Sequence, residues 1–349
     1  MIGKQTVFVL GAGASVPYGF PTGVGLRNKI IELNKTVFRN ADANPDHFRS
    51  MLKTPLDDQA NLIAEAVFLA NNEPFSPNEI YDQALRISQL IDRFERSRTL
   101  SIDRFLSRRN EPDKTIGKCL IAYFLIQHEN ERALHNEKNN CWFSYVSALM
   151  DSESPNDYIR NVSFITFNYD RSLEHLFHQA ITHGFRVSPQ EANQYAAKIP
   201  IVHLHGRLGY LEWQDNAQDA LIRNYNHHRT PETIAAAAQE INIISENVEN
   251  SVDFQQAHDL LSKAEVVYFL GFGYDEENVR RLNLDENLID CEQVFGMWRG
   301  ITKSEVRRIQ KSLPANFMLA KRAGRIGCKC AIKCGCEIVD YLRNTVHFL

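Results

Sequence analysis

Three polar side chains at the ends of apolar runs have the types that chemistry requires. Asn168 and Asp170 lie in TFNYD, at the end of one run, and His205 lies in HLHG, at the end of another. An imidazole can accept a proton near neutral pH, and an amide or a carboxylate can orient water or a hydroxyl group. The set suits a reaction that needs a well-positioned substrate and one proton acceptor.

Each of these side chains also has a structural interpretation. Asp170 precedes a predicted helix and could cap it by accepting hydrogen bonds from its N–H groups. His203 and His205 share one face of a predicted strand, but no carboxylate is an obvious third ligand, so a metal pair is disfavoured. We predict that His205 is the proton acceptor and that His203 is structural.

Two glycine turns follow other apolar runs, GAGAS at residues 11–15 and GFG at residues 271–273. Gly11 and Gly13 are expected to leave backbone N–H groups uncovered at the start of a helix, which suits a pyrophosphate. The first turn lacks the third glycine of G-x-G-x-x-G, and no Gly-Lys pair of a P-loop follows it. Taken alone, it indicates either a nucleotide site or a tight strand-to-helix turn.

Alternating strand and helix patterns predict the elements that hold these residues. Apolar runs predict strands at 7–10, 163–167, 199–206, 264–274 and 293–296. Helical spacing predicts helices at 24–38, 172–181, most of 216–259, 279–282 and 303–313, and it dominates 46–150. The pattern predicts an α/β fold, a Rossmann-like parallel sheet with helices on both faces and a helical insert after the first βα unit. We assign residues 1–40 and 155–349 to the Rossmann-like domain and 41–154 to the insert.

The composition excludes some classes of protein. The chain of 349 residues is 44% hydrophobic and has a net charge of −4, which argues against a protein that coats nucleic acid. It has no apolar run long enough to cross a membrane and no signal peptide, so we expect a cytoplasmic location. Cys119, Cys141 and Cys291 are expected to be reduced thiols. The cluster at 328–336 has C-x-C pairs rather than zinc-binding C-x2-C pairs, which favours the apolar face of a strand or hairpin.

Five segments resemble a known family when they are taken in order. The GAG turn, the T-x-N-x-D segment and a histidine before glycine resemble the sirtuin superfamily. More closely, GASVPYGFPTG, SIDRFL, TFNYDRSLEHLF, HLHGRLG and FLGFGY resemble the sirtuin-like NAD hydrolases of bacterial anti-phage defence systems. The similarity extends from residue 7 to about residue 300.

The resemblance implies roles for individual residues. Asn168 and His205 would be catalytic: Asn168 would orient water or the ribose, and His205 would accept a proton. Asp170 would contact the nicotinamide carboxamide or support its loop. Asp103, in SIDRFL, could either reach the pocket from the insert or cap a helix. The residues expected to bind NAD are Gly11, Ala12, Gly13, Ser15, Pro21, Thr22, Asn168, Asp170, Gly271 and Gly273.

Two departures from deacetylating sirtuins bear on activity. Thr22 stands where a sirtuin has an aspartate, and residues 206–264 contain no cysteine, so the sirtuin zinc module is missing and no zinc is expected. The resemblance then implies hydrolysis of NAD+ to nicotinamide and ADP-ribose by an abortive-infection effector. The alternatives are an NAD-dependent protein deacylase or ADP-ribosyltransferase, and a non-catalytic sensor of NAD or ADP-ribose. The implied partners are copies of the chain and a HerA-type ATPase or another defence protein, with no membrane and no direct nucleic-acid contact.

Overall fold

The centre of the structure is a parallel β-sheet. A computed structural model describes residues 2–38, 57–135, 141–214, 222–243, 251–298, 332–334 and 337–345. The strands are β1 (Thr6–Leu10), β2 (Val162–Thr166), β3 (Ile201–His203), β4 (Val266–Leu270), β5 (Gln293–Trp298) and β6 (Ile332–Cys334). Their order is β3-β2-β1-β4-β5-β6, and every pairing is parallel. This order is that of the Rossmann fold, which confirms the predicted fold class.

Both faces of the sheet are covered. Successive residues of a strand point to opposite faces, so Phe8 joins one buried core and its neighbours Val7 and Val9 join the other. On the first face, stacked rings cross the sheet, with Phe8 5.3 Å from Phe164 and 5.4 Å from Tyr268, measured between ring centroids. Burial on both faces explains why the strands are continuous apolar runs rather than alternating ones.

The helices follow the predicted alternation along the chain. They are α1 (Ala12–Ser15), α2 (Gly23–Leu33), α3 (Asp58–Ala70), α4 (Pro77–Arg96), α5 (Ile102–Leu106), α6 (Glu111–Ile126), α7 (Glu131–Leu134), α8 (Trp142–Met150), α9 (Pro155–Tyr158), α10 (Ser172–Gly184), α11 (Pro189–Ala197), α12 (Pro231–Glu240), α13 (Val252–Ser262), α14 (Glu276–Arg281), α15 (Leu284–Asn287) and α16 (Ile338–Thr345). The helix predicted at 24–38 is α2 followed by one π-helical segment, Asn34–Phe38. The stretch at 216–259 is less helical than predicted, because 222–230 separates α12 from the preceding elements without a helix.

The insert packs as a helical layer over one core. Helix α3 contacts both α4 and α6, and α12 lies against α3 and α6. Within 57–135 and 141–150 the structure contains helices and turns and no strand, as predicted for that part of the chain. The domain boundaries themselves stay predictions. The helix predicted at 303–313 and the side chains of the cysteine cluster lie outside the described residues.

None of the helices in the described ranges combines the length and the apolar character needed to cross a bilayer.

Candidate functional site

The crevice of the sheet lies where the strand order reverses, between β1 and β4. There the two glycine turns pack backbone against backbone. The N–H of Gly11 donates to the carbonyl of Leu270 at 3.0 Å, and the N–H of Gly13 donates to the carbonyl of Gly271 at 3.0 Å. Gly271 has a positive φ of 58°, and a Cβ there would lie 2.0 Å from the backbone nitrogen of Ala14. The turns therefore require glycine for their own contact.

This contact corrects one sequence prediction. Gly11 and Gly13 were expected to offer free N–H groups to a phosphate, but both groups are already used to join β1 to β4. The prediction was wrong because neighbouring strands continue their hydrogen bonding past the strand ends, which a single run of sequence does not show.

A cleft of about 740 Å³ opens beside the turns. Among the predicted binding residues, five line it: Ala12, Gly13, Thr22, Gly271 and Gly273. The large apolar side chains of Val16, Val24 and Leu100 also line it, and they are 44%, 48% and 65% exposed. The charged side chains among its described lining residues are the carboxylates of Asp275 and Glu337. The cleft thus combines apolar walls with acceptors suited to hydroxyl groups.

Asn168 is held by the first glycine turn. Its Nδ2 donates to the carbonyl of Gly11 at 3.0 Å and to Ser15 Oγ at 2.9 Å. Its backbone N–H donates to Thr166 Oγ1 at 3.0 Å. Both amide hydrogens therefore have internal acceptors, which leaves Oδ1 as the atom of this side chain that can accept a hydrogen bond from a ligand.

Asp170 supports the loop that carries Asn168. Ser15 Oγ donates to its Oδ2 at 2.6 Å, and the N–H of Ser172, at the start of α10, donates to its Oδ1 at 3.2 Å. Burial raises the pKa of Asp170, and the hydrogen bonds from Ser15 and Ser172 oppose this rise. Because both oxygens accept bonds inside the fold, the geometry favours loop support over contact with a ligand. Ser15, Asn168 and Asp170 border a separate cavity of about 20 Å³ rather than the large cleft.

His203 lies beneath the same loop, in the structural role predicted for it. Its Nδ1 lies 2.9 Å from the carbonyl oxygen of Asn168, and its Nε2 lies 2.7 Å from Glu174 Oε1. Burial acts to raise the pKa of Glu174. The charge and hydrogen bond of His203, together with the charge of Arg207, outweigh this effect and lower the pKa to about 2. Both ring nitrogens therefore contact oxygen atoms inside the fold, and the buried pair fixes the backbone of Asn168.

Sequence reasoning assigned no role to Glu174. The sequence does contain a sign that Glu174 is buried. It lies three residues before Phe177 and seven before Ile181, a spacing that puts it on the buried face of α10. A carboxylate on an apolar stripe requires a buried partner.

His205 follows β3 and is 5% exposed. Its carbonyl accepts a hydrogen bond from the N–H of Asn242 at 2.9 Å, and its ring lies 5.5 Å from the ring of Phe167, measured between centroids. Gly206, which follows it, has a φ of 75°, and a Cβ there would lie 2.0 Å from the carbonyl oxygen of Glu240. Burial lowers the pKa of His205, and the charge of Asp103 opposes this effect. The lowered pKa keeps the ring neutral at pH 7.

Asp103 does not cap α5, and it is not among the residues that line the cleft. Ser101, not Asp103, caps α5, because Ser101 Oγ accepts a hydrogen bond from the N–H of Arg104 at 3.4 Å. Asp103 Oδ1 instead accepts a hydrogen bond from the hydroxyl of Tyr169, the residue after Asn168. The insert thus contributes a carboxylate that holds the loop carrying Asn168.

A buried ionic cluster, which the sequence did not predict, holds the other end of the loop. Arg171 and Glu129 are both fully buried, with Arg171 Nε 2.9 Å from Glu129 Oε1 and Nη2 2.6 Å from Oε2. Arg223 also contacts Glu129 Oε2. Glu129 follows α6 in a turn, where no periodicity marks it as buried. The cluster ties the insert to the segment after Asp170.

Of the remaining residues predicted to bind NAD, Thr22 also caps a helix and Pro21 lies outside the cleft. Thr22 caps α2 by accepting a hydrogen bond from the N–H of Gly25 at 3.2 Å, in addition to lining the cleft. Pro21 is half-buried beside it and does not line the cleft. Cys119, Cys141 and Cys291 are free thiols. Over the ranges that the structure describes, no group of three or more histidine, cysteine, aspartate or glutamate side chains is arranged to hold a metal ion.

No protein-family model matches the chain, and a comparison with curated proteins found no significant match. The residues and their geometry are therefore the basis of the functional proposal.

Proposed function

We propose that the chain is a cytoplasmic NAD+ glycohydrolase that cleaves NAD+ to nicotinamide and ADP-ribose. The observation that carries this proposal is the fixed Asn168, which is hydrogen-bonded to the first glycine turn, together with the buried His205 that follows the neighbouring strand. In open α/β sheets, ligands bind in the crevice outside the carboxyl ends of the strands. The sirtuin-like order of the motifs supports the choice of NAD+ as the substrate.

The chemistry matches what these residues can supply. Breaking the nicotinamide N-glycosidic bond releases neutral nicotinamide while positive charge builds on the ribose, so the leaving group needs little acid catalysis. Positioning and electrostatic stabilisation are the main requirements. Asn168 Oδ1 would accept a hydrogen bond from water or a ribose hydroxyl, and His205 would take the proton that the attacking water or hydroxyl loses.

The cleft fits the rest of the dinucleotide. Its volume of about 740 Å³ is within the range of ligand pockets. Asp275 and Glu337 offer oxygen acceptors for ribose hydroxyls, and the apolar walls suit an aromatic base. The backbone at Gly273 is open, because a Cβ there would meet no atom within 4 Å.

The resemblance also supports a biological role, which we propose as abortive infection in anti-phage defence. Unrestrained hydrolysis of NAD+ would harm the host cell, so we propose control by assembly of several copies or by a partner such as a HerA-type ATPase.

The test is NAD+ turnover by the purified chain, alone and with the product of the neighbouring gene, beside Asn168→Ala and His205→Ala. We expect nicotinamide and ADP-ribose from the wild type and at least a 100-fold loss in each variant. Equal turnover by either variant would remove that residue from the site. Nicotinamide release that depends on an acyl-lysine peptide would instead support a deacylase, and binding without turnover would support a sensor.

A further inference from the structure

We propose that the small cavity beneath the loop after β2 is a binding site for one internal water molecule, held by Glu174 Oε2 and by the hydroxyl of Thr166. The bound water joins α10 to the loop that carries Asn168. The site does not depend on the reaction proposed above.

The cavity has the size of a single water molecule. Its volume is about 20 Å³, and a cavity of roughly 10–15 Å³ or more can hold one water. Apolar side chains that are themselves buried, those of Leu10, Leu173 and Leu176, form part of its wall. A substrate or an organic cofactor is far too large for this space, so the ligand must be of the size of water.

Glu174 supplies a buried oxygen that needs a hydrogen-bond donor. The residue borders the cavity and is 3% exposed. Its Oε1 lies 2.7 Å from His203 Nε2, whereas no residue that the structure describes hydrogen-bonds to its Oε2. An ionised carboxylate can only accept hydrogen bonds, and buried polar atoms are nearly always paired with protein or with ordered water. The missing donor must therefore come from the cavity.

Thr166 and Asp170 complete the polar wall of the cavity. Thr166 is 4% exposed, and its Oγ1 accepts a hydrogen bond from the N–H of Asn168 at 3.0 Å. A hydroxyl group that accepts in this way still has its own hydrogen to donate. Each carboxylate oxygen of Asp170 accepts one hydrogen bond inside the fold, from Ser15 or from Ser172, and has a second lone pair. Two carboxylates that accept and one hydroxyl that donates match a water, which donates twice and also accepts.

The charges around the cavity favour water over a cation. Glu174 Oε1 already lies 2.7 Å from His203 Nε2 and 3.9 Å from Arg207 Nη1. The carboxylate therefore lacks a donor at Oε2 rather than a counterion. Asp170, Glu174 and His203 all border the cavity, yet over the described ranges no three side chains of these types have the arrangement of a metal site.

A water in this position would support Asn168 through Thr166. The side chain of Asn168 is held by Ser15, and its backbone carbonyl lies against His203. Its backbone N–H depends on Thr166 Oγ1, whose hydroxyl the water would orient. The water is thus a further support of the loop, reached from Glu174 on α10.

The test is direct detection of the water in the wild type. In a crystal structure at high resolution, we expect one water oxygen about 2.5–3.0 Å from Glu174 Oε2 and at a similar distance from Thr166 Oγ1. In solution, a deuterated protein with protonated methyl groups should show NOEs between water and the methyl groups of Ala14 and Leu173, which border the cavity. The sign of these NOEs should be that of a water held for longer than the tumbling time of the protein.

Three variants test the contact with Thr166. Thr166→Val removes the hydroxyl from a side chain of the same shape, and Thr166→Ser keeps the hydroxyl. Thr182→Val is the control, because Thr182 Oγ1 donates to the carbonyl of His178 at 2.7 Å within α10 and does not border the cavity. We expect the water NOEs to fall about fivefold or more in Thr166→Val, since a water with fewer partners is held less firmly, and to persist in the other two variants.

Any of three results would overturn the water site. The first is a wild type with neither water density nor NOEs at the cavity. The second is a peak that thallium ions replace with an anomalous signal, which would identify a cation. The third is an NOE in Thr166→Val as strong as in the wild type. None of these measurements uses NAD+, so failure of the water site is distinguishable from failure of the proposed function.

Discussion

Replacing Glu174 with glutamine should remove a pH-dependent part of the stability of the fold. The side chain is 3% exposed, and its Oε1 lies 2.7 Å from His203 Nε2. Its pKa is lowered from 4.5 to about 2, and burial, which acts in the opposite direction, is outweighed by His203 and Arg207. At 1.36 kcal/mol for each pKa unit, the ionised carboxylate contributes on the order of 3 kcal/mol to the free energy of unfolding at pH 7.

The sign of the pH dependence follows from the lowered pKa. The unfolded chain binds a proton at Glu174 near pH 4.5, whereas the folded chain does so only near pH 2. The contribution of Glu174 to stability is therefore complete above about pH 5. It is lost as the pH falls from about 4.5 to about 2, and more than half of it is gone at pH 3. In Glu174→Gln this pH-dependent contribution is absent.

The assay is urea denaturation of the wild type and Glu174→Gln at pH 7, 5, 4 and 3. The control is Glu277→Gln, because the pKa of Glu277 is also lowered to about 2, chiefly by its hydrogen bond with Arg280. The Glu277 side chain is 37% exposed, so solvent screening limits its loss to about 1 kcal/mol or less. A stability difference between the wild type and Glu174→Gln that is the same at pH 7 and pH 3 would refute the reasoning. Equal losses in the two variants would also refute it.

Three further outcomes are expected. Gly273→Val should raise the KM for NAD+ at least tenfold without loss of stability, because the new side chain enters open space in the cleft. Gly3→Val, which also enters open space, is the matched control, and an unchanged KM in Gly273→Val would place the substrate elsewhere. Glu129→Gln should lower the free energy of unfolding by about 3–5 kcal/mol, because two buried guanidinium groups lose their partner. Glu131→Gln, at an exposed site, should lower it by less than about 1 kcal/mol, and a similar loss in both variants would contradict the role of the buried cluster. The pH profile of kcat/KM should fall on its acid side below pH 6.5, because burial lowers the pKa of His205, and a fall that begins above that pH would exclude this residue as the base.

The sheet could be predicted from the sequence because each central strand is a continuous apolar run. Parallel strands buried on both faces leave this local signal, and the strands around Phe8 and Tyr268 show it clearly. The carboxyl ends of such strands meet at one edge, so the convergence of Asn168 and His205 could also be predicted. Because each residue follows the end of a predicted strand, this prediction required no knowledge of side-chain contacts.

The contacts within the site could not be predicted, because they join residues far apart in the chain. The use of the Gly11 and Gly13 N–H groups depends on the carbonyls of Leu270 and Gly271, which lie about 260 residues later. The burial of Glu129 depends on Arg171, whose own position is set by β2. No periodicity within either segment carries this information, since a salt bridge is a property of the pair.

The loop after β2 shows why the insert matters to the site. Asn168 and Asp170 contact the first glycine turn through Ser15, whereas Tyr169 and Arg171 contact the insert. Alternate residues of one short segment are therefore held by two different parts of the chain. The contacts of Asn168 itself, with Gly11, Ser15 and His203, all come from the sheet domain, so the insert acts on this loop through the residues on either side of Asp170. The geometry of the loop therefore depends on the insert and on the sheet together, which no pattern within the loop sequence could show.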